Sequence, residues 1–280
     1  MALIKIQPSQ PEEIRVPFDK PYLLKGFCRD MYALDKWKDT NYLRDKFNNV
    51  KVDVEIYKDR KDFQTSKSSM KGWRFNEYLD NLDNPDSQYY GKTYVPDCDL
   101  MGYEGYIHGD IYKDVINPRE VMDLQLKNGD GDYGIPDACN LYIGRDTKTG
   151  THCHIEDDFM LNQIIGKKRI YCLDFEHLTI NSFFSIYTNF SKENFFEMDW
   201  DKMDIYYAEL EPGDSFCFPP WYWHAVESDD YTIGITKVWE RNDQWEVYKS
   251  HPKYLPLKRR FWFSSMLPKL FIEFARKYFR

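Results

Sequence analysis

No stretch of this chain approaches the roughly 20 consecutive apolar residues that a membrane-spanning helix requires, so no membrane span is expected. The opening segment MALIKIQPSQPEE lacks the apolar run of a secretory signal, which points to an intracellular protein, cytoplasmic or nuclear. Cysteine is sparse and unpatterned: Cys28, Cys98, Cys139, Cys153, Cys172 and Cys217 form no Cys-x-x-Cys pair and no regular spacing. That excludes a zinc-ribbon module or a disulfide framework and fits reduced thiols. Positive charge is in deficit, with 38 Lys and Arg against 46 Asp and Glu and a net charge of -8. Broad phosphate neutralisation of nucleic acid is thereby disfavoured, while a local basic groove stays open. Internal repeats and low-complexity tracts are missing as well. The sequon Asn189-Phe-Ser191 has no secretory context and reads as a chance match.

What is present supports a packed globule. Of 280 residues, 42% are hydrophobic and 18% aromatic, enough to bury a large core despite 30% charge. A single domain is expected, in three parts. Residues 1–135 read as an α/β extension, with an extended Pro21–Gly26, a helical Trp37–Phe47, a strand Val50–Glu55 and a helix opening at Gly72. A Tyr-rich, irregular stretch then runs to Lys127. Asn128–Gly134 carries spaced carboxylates but misplaces the glycine and glutamate of a calcium loop, so it reads as a surface loop.

Residues 136–240 change texture. Short β-rich runs recur between turn signals: Asn140–Gly144, Thr151–Glu156, Leu161–Ile165, Arg169–Leu173, Ile205–Leu210, Ser215–Phe218 and Tyr231–Trp239. Many short strands at this spacing predict a mainly β core, a sandwich, barrel or double-sheet jelly roll, with residues 175–204 as a long insertion. Residues 241–280 end in an amphipathic helix, where Leu267, Leu270, Phe274 and Tyr278 recur at steps of three and four. Docking onto its own domain or onto a second copy is the simpler use of that face; a basic membrane-surface helix is the other.

Two segments carry the chemistry. In His154-Ile-Glu156 a period of two puts an imidazole and a carboxylate on one strand face. In Glu211-Pro-Gly-Asp214 a tight turn leads through Phe216-Cys-Phe218 to Pro219-Pro-Trp-Tyr-Trp-His224, where prolines fix the backbone and tryptophans exclude solvent around an imidazole. Two histidines and one carboxylate on one face of an octahedral ion leave positions open, the arrangement of non-haem Fe(II) oxygenases. Only six histidines occur in the chain, and His152, His154 and His224 all lie in these segments.

Together the segments resemble the JmjC and cupin-like family of Fe(II)- and 2-oxoglutarate-dependent oxygenases. The branch they most resemble contains the asparaginyl hydroxylase of hypoxia-inducible factor and the tRNA wybutosine hydroxylase. In it a Thr three residues before the first ligand, a His-x-Asp/Glu pair and a downstream Gly-x-Lys recur in order. Thr151, His154, Glu156, Gly166 and Lys168 stand at these positions, and Gly213-x5-Pro219-x4-His224 resembles the second cupin motif. The resemblance implies a double-stranded β-helix core, with His154, Glu156 and His224 as iron ligands and catalytic residues. Lys168 would pair with the distal carboxylate of 2-oxoglutarate as a point charge, Thr151 would add a hydroxyl, and Tyr89 or Tyr90 another. It further implies O2 consumption, decarboxylation of 2-oxoglutarate to succinate, and a protein or peptide substrate ahead of a modified nucleoside or small molecule. A homodimer through the C-terminal helix is the oligomer that relatives suggest.

The chain also departs from the pattern. His154 to Gly166 is one residue shorter than in many relatives, and the carboxylate is Glu where Asp is commoner. Met160 or Leu161 stands where a polar residue often lies, and Thr236 and Lys237 where an Asn is common. His152-x-His154 resembles the first motif of germin-like cupins, with Glu156 or Asp158 as a shifted carboxylate. Under that reading three histidines and a carboxylate hold the metal and no 2-oxoglutarate is needed; Thr151 and Lys168 favour the oxygenase. A non-catalytic partner-binding module would keep its affinity with all three ligands replaced.

Overall fold

The computed structural model describes residues 3–48, 51–56, 68–82, 89–94, 109–126, 136–154, 157–173, 195–197, 204–220 and 222–241. Several sequence expectations fall outside them: the role of Glu156, the wall residue Trp221, the 128–134 loop, most of the 175–204 insertion and the C-terminal amphipathic helix. His108, His177, His251 and Cys98 also lie outside.

In chain order β1 (Leu3–Lys5), β2 (Tyr22–Leu24), α1 (Ala33–Lys36) and α2 (Thr40–Lys46) come first. Then follow β3 (Lys51–Ile56), β4 (Ser68–Arg74), α3 (Phe75–Leu82), β5 (Tyr89–Tyr94), α4 (Gly109–Asp114) and α5 (Arg119–Met122). The remaining strands are β6 (Ala138–Arg145), β7 (Asp157–Leu173), β8 (Ile205–Leu210), β9 (Ser215–Phe218) and β10 (Trp223–Glu240). They pair in the order β1-β8-β7-β10-β6-β5-β3-β4, with β9 joined to β7 and to β2. This is the strand-rich, curled sheet of a jelly-roll core. No helix among the described residues is long and apolar enough to cross a membrane.

β7 and β10 form the spine, antiparallel along almost their full lengths. The first half of β7 lies between β10 and β9, and its second half between β10 and β8. The sequence reads as two strands here, Leu161–Ile165 and Arg169–Leu173, because a glycine and two lysines interrupt the apolar run. They are one strand with an irregularity at Gly166, whose φ of 70° lies in the left-handed region. A Cβ at that position would sit 2.3 Å from the Tyr231 carbonyl oxygen, so the site accepts only glycine. The irregularity has a consequence for facing. Odd-numbered Leu161 and even-numbered Ile170 and Cys172 share one buried cluster with Phe216, Phe218, Ala208 and Leu210. One extra residue in a strand flips every later side chain to the other face, and that is what places Lys168 inside.

The outer face of β6 and β10 is covered by the helices. Trp37, Leu43, Phe47, Phe75, Tyr78 and Leu79 pack against Leu141, Ile143, Ile164, Ile233 and Ile235. The helix expected over Trp37–Phe47 starts at Thr40, where the Asp39 side chain caps it by accepting from the Asn41 amide. The helix expected from Gly72 starts at Phe75, because Trp73 and Arg74 still pair with β3. The stretch read as irregular up to Lys127 contains β5, α4 and α5. One charged pair crosses this layer: the Lys237 ammonium donates to both Glu120 carboxylate oxygens at 2.9 and 2.8 Å and to the Val115 carbonyl, all fully buried.

Candidate metal and anion site

The segment after β6 is expected as a regular strand over Thr151–Glu156, yet the residues through Thr151 and His152 follow β10 by scattered bonds instead. Thr147, Thr149 and His152 each pin it to β10, through Ser228, Val226 and His224 respectively. His152 and His224 exchange both backbone bonds, at 3.0 and 2.8 Å. Residues directly opposite in an antiparallel pair present side chains on the same face, and His154 follows two positions on. The ligand atoms of His152, His154 and His224 all lie within 4.8 Å of one another.

The rings are oriented by the backbone. Nδ1–H of His224 donates to the Tyr222 carbonyl at 3.0 Å, and Nδ1–H of His152 donates to the Gly150 carbonyl at 2.8 Å. Nδ1–H donation leaves Nε2 as the nitrogen that each ring can offer to a metal. Burial, reinforced by the neighbouring His152, holds His224 well below the usual histidine range, so it is neutral at pH 7. Apolar rings pack the cluster. Phe159 stacks on His154 with ring centres 3.5 Å apart, and Phe218 lies 4.4 Å from His224.

Four residues before Cys172, the register partner of His224, β7 carries a cation. Lys168 is 6% exposed, and no carboxylate among the described residues pairs with it. Burial pushes its ammonium down from 10.5 to about 8. An ammonium in a dry interior is costly without a counter-charge, so its position favours an anion beside it. Its flanks, Lys167 and Arg169, point outward to Glu211, Glu209 and Glu227, as alternation requires. The Lys168 amine fits over Gly234, where a Cβ would stand 3.0 Å from Nζ, and lies 5.8 Å from the centre of the Tyr142 ring. Of the seven buried side-chain polar atoms with no hydrogen-bond partner among the described residues, two are the Thr151 hydroxyl and Gln163 Oε1. Gln163 Oε1 also borders Gly234.

Among the residues singled out from sequence, the structure thus brings His154 and His224 together, adds His152, and sets Lys168 and Thr151 in the buried interior. Asp158 is removed from consideration: its carboxylate accepts from the Phe18 amide at 3.1 Å and from Arg241 at 3.0 Å. Tyr89 and Tyr90 are placed by backbone only, opposite Ile56 and Glu55 of β3, with Tyr90 also opposite Gly144 of β6. Sequence reading missed Tyr142, Gln163 and Gly234. Their signal exists only once the register sets Tyr142 and Gln163 on either side of Gly234. Phe159 was equally illegible, being one phenylalanine among many.

A curled jelly roll carrying clustered histidines on adjoining strands defines a cupin-type protein with a candidate metal centre. The sequence agrees: the profile of the cupin-like domain matches residues 9–244, and the chain belongs to that family. Among solved structures, the X-ray structure of E. coli ycfD is similar in fold, with a TM-score of 0.50 and 13% identity. The match covers 86% of this chain and 55% of that one, so this chain spans about half of that protein's length. At such identity the likeness bears on fold alone. No curated protein matches the sequence significantly.

Proposed function

We propose that this chain is an Fe(II)- and 2-oxoglutarate-dependent oxygenase that hydroxylates or demethylates a protein side chain. The observation that supports the reading is Lys168, a buried ammonium with no carboxylate partner among the described residues, four positions along β7 from the register partner of His224. A metal with a keto acid bound beside it needs both an open coordination sphere and a remote cation for the second carboxylate. His154 and His224 would hold the ion with one further protein ligand, and the family resemblance gives that place to Glu156. When bound, the iron would supply activation of O2 coupled to decarboxylation of the cosubstrate. The chain's own part is positional. Lys168 anchors the distal carboxylate, the Thr151 hydroxyl donates to it, and Phe159, Phe216 and Phe218 keep water from the reacting centre.

The partner we assign is a neutral or basic peptide segment, which the net charge of -8 would attract. A homodimer through the C-terminal helix and an intracellular location complete the proposal. The convergence of His152 with His154 and His224 favours one alternative, a cupin metalloenzyme that needs no cosubstrate. Succinate formation separates the two. Purified protein with Fe(II), 2-oxoglutarate and O2 should release succinate, and His154→Ala and His224→Ala should abolish it. Full turnover by either variant, or iron-dependent activity indifferent to 2-oxoglutarate, sinks the oxygenase reading.

A further inference from the structure

We propose that His152 is a metal ligand, so that three imidazoles, those of His152, His154 and His224, hold the ion. This rests on the reading that the site binds a metal, and it changes the identity of the third protein ligand.

Geometry comes first. His152 is the residue directly across from His224, bonded to it through both backbone amides. Directly opposed residues of an antiparallel pair hold their side chains close together on one face. Their ring centres are 4.2 Å apart and tilted by 55°, and those of His154 and His224 are 4.9 Å apart. Coordinating nitrogens sit roughly 2.0–2.1 Å from an ion. Modest side-chain rotations therefore close a set already within 4.8 Å.

Chemistry comes second. His152 and His224 are oriented by the same device, each donating Nδ1–H to the carbonyl two residues before itself, Gly150 and Tyr222. A histidine that merely supported His224 would accept or donate at the ring of His224. Here Nδ1 of each ring faces a backbone carbonyl, which leaves Nε2 as the nitrogen each can turn to a metal, and a ring nitrogen of each of the three histidines lies within 4.8 Å of the others.

Coordination arithmetic comes third. An octahedral ion with a two-point keto-acid chelate and one position for O2 leaves three for the protein. With His154 and His224 in place, one position remains. His152 and Glu156 cannot both occupy it while the proposed reaction runs.

The test uses Co(II) as the probe, with the full-length protein. X-ray absorption on the Co(II)-loaded wild type counts imidazoles from their multiple scattering. Affinity is read by calorimetry for H152A, H154A, H224A and E156A, each checked for folding by circular dichroism. The expected result is three imidazoles in the wild type and two in H152A. H152A should lose at least tenfold in affinity, a loss matching that expected for H154A. A positioning residue could also cost 10–100-fold in affinity, so the imidazole count is decisive. Two imidazoles in the wild type, with H152A binding normally and E156A failing, would overturn the proposal and leave the oxygenase reading standing. Should H152A misfold, the wild-type count alone decides. A wild type that binds no Co(II) overturns both.

Discussion

Lys168 is the residue on which the cosubstrate assignment turns, and its environment makes two outcomes calculable. Replacing it with Met keeps the stem and removes the charge. Charge-assisted bonds contribute roughly 1.5–3 kcal/mol, so 2-oxoglutarate should bind about 10–100-fold more weakly, with metal affinity unchanged. Calorimetry on the anaerobic Fe(II) protein checks this. The pH dependence follows from the lowered ammonium, which titrates at about 8 instead of 10.5. Below that value Lys168 is cationic and the affinity is flat. Above it the competent form falls, so affinity should weaken towards about tenfold per pH unit. The sign for stability is opposite. The folded ammonium is disfavoured relative to the unfolded one, so its cost is fully present below pH 8 and fades as pH rises towards 10.5. Constant affinity from pH 6.5 to 9.5 would show that Lys168 does not meet the anion. At this scale Lys168 and His224 were legible in the sequence, because Gly-x-Lys and the Pro-Pro-Trp-Tyr-Trp-His run fix a residue type at a spacing. Tyr142 and Gln163 were not. A tyrosine among 22 has no local signature, and only strand register selects it.

Among the elements, β7 couples the two halves of the site. Its irregularity at Gly166 sets Leu161 and Lys168 on the same interior side though their numbers differ in parity. Gly166→Ala would force a Cβ within 2.3 Å of the Tyr231 carbonyl and strain a φ of 70°. Loss of about 1–3 kcal/mol from the backbone alone is expected, with more from the clash, read as a lower urea midpoint. 2-Oxoglutarate affinity should fall with it, since any local shift moves Lys168 relative to Gly234. A variant with unchanged stability would contradict the close approach. The sequence showed the strands as β-branched and aromatic runs, but it could not show that two of them are one. A glycine flanked by lysines reads as a turn until a partner strand is seen to continue past it. Likewise α3 begins three residues later than Gly72, because pairing of Trp73 with Val52 outweighs local helix preference.

For the whole molecule, the buried Lys237–Glu120 pair ties α5 to β10 behind the roll. Glu120 is pushed upward by burial and pulled back by Lys237, so each member depends on the other. Lys237→Met alone leaves an unpaired carboxylate and should cost about 3–5 kcal/mol, whereas Lys237→Met with Glu120→Leu should recover most of that loss. Additive losses in denaturant titrations would contradict this coupling. No sequence pattern predicts the pair: Thr236 and Lys237 read only as a departure from a common Asn, and Lys237 turns into the helical layer. In the proposed function, the clustered histidines hold an ion and Lys168 receives the far carboxylate of a chelating dicarboxylate in the interior of the roll. Anaerobic Fe(II) titration with and without 2-oxoglutarate, followed by visible absorption, tests it most directly. The account predicts a metal-to-ligand charge-transfer band that needs both components and disappears in Lys168→Met at concentrations that saturate the wild type. Iron that binds while the band never forms at any 2-oxoglutarate concentration would contradict it.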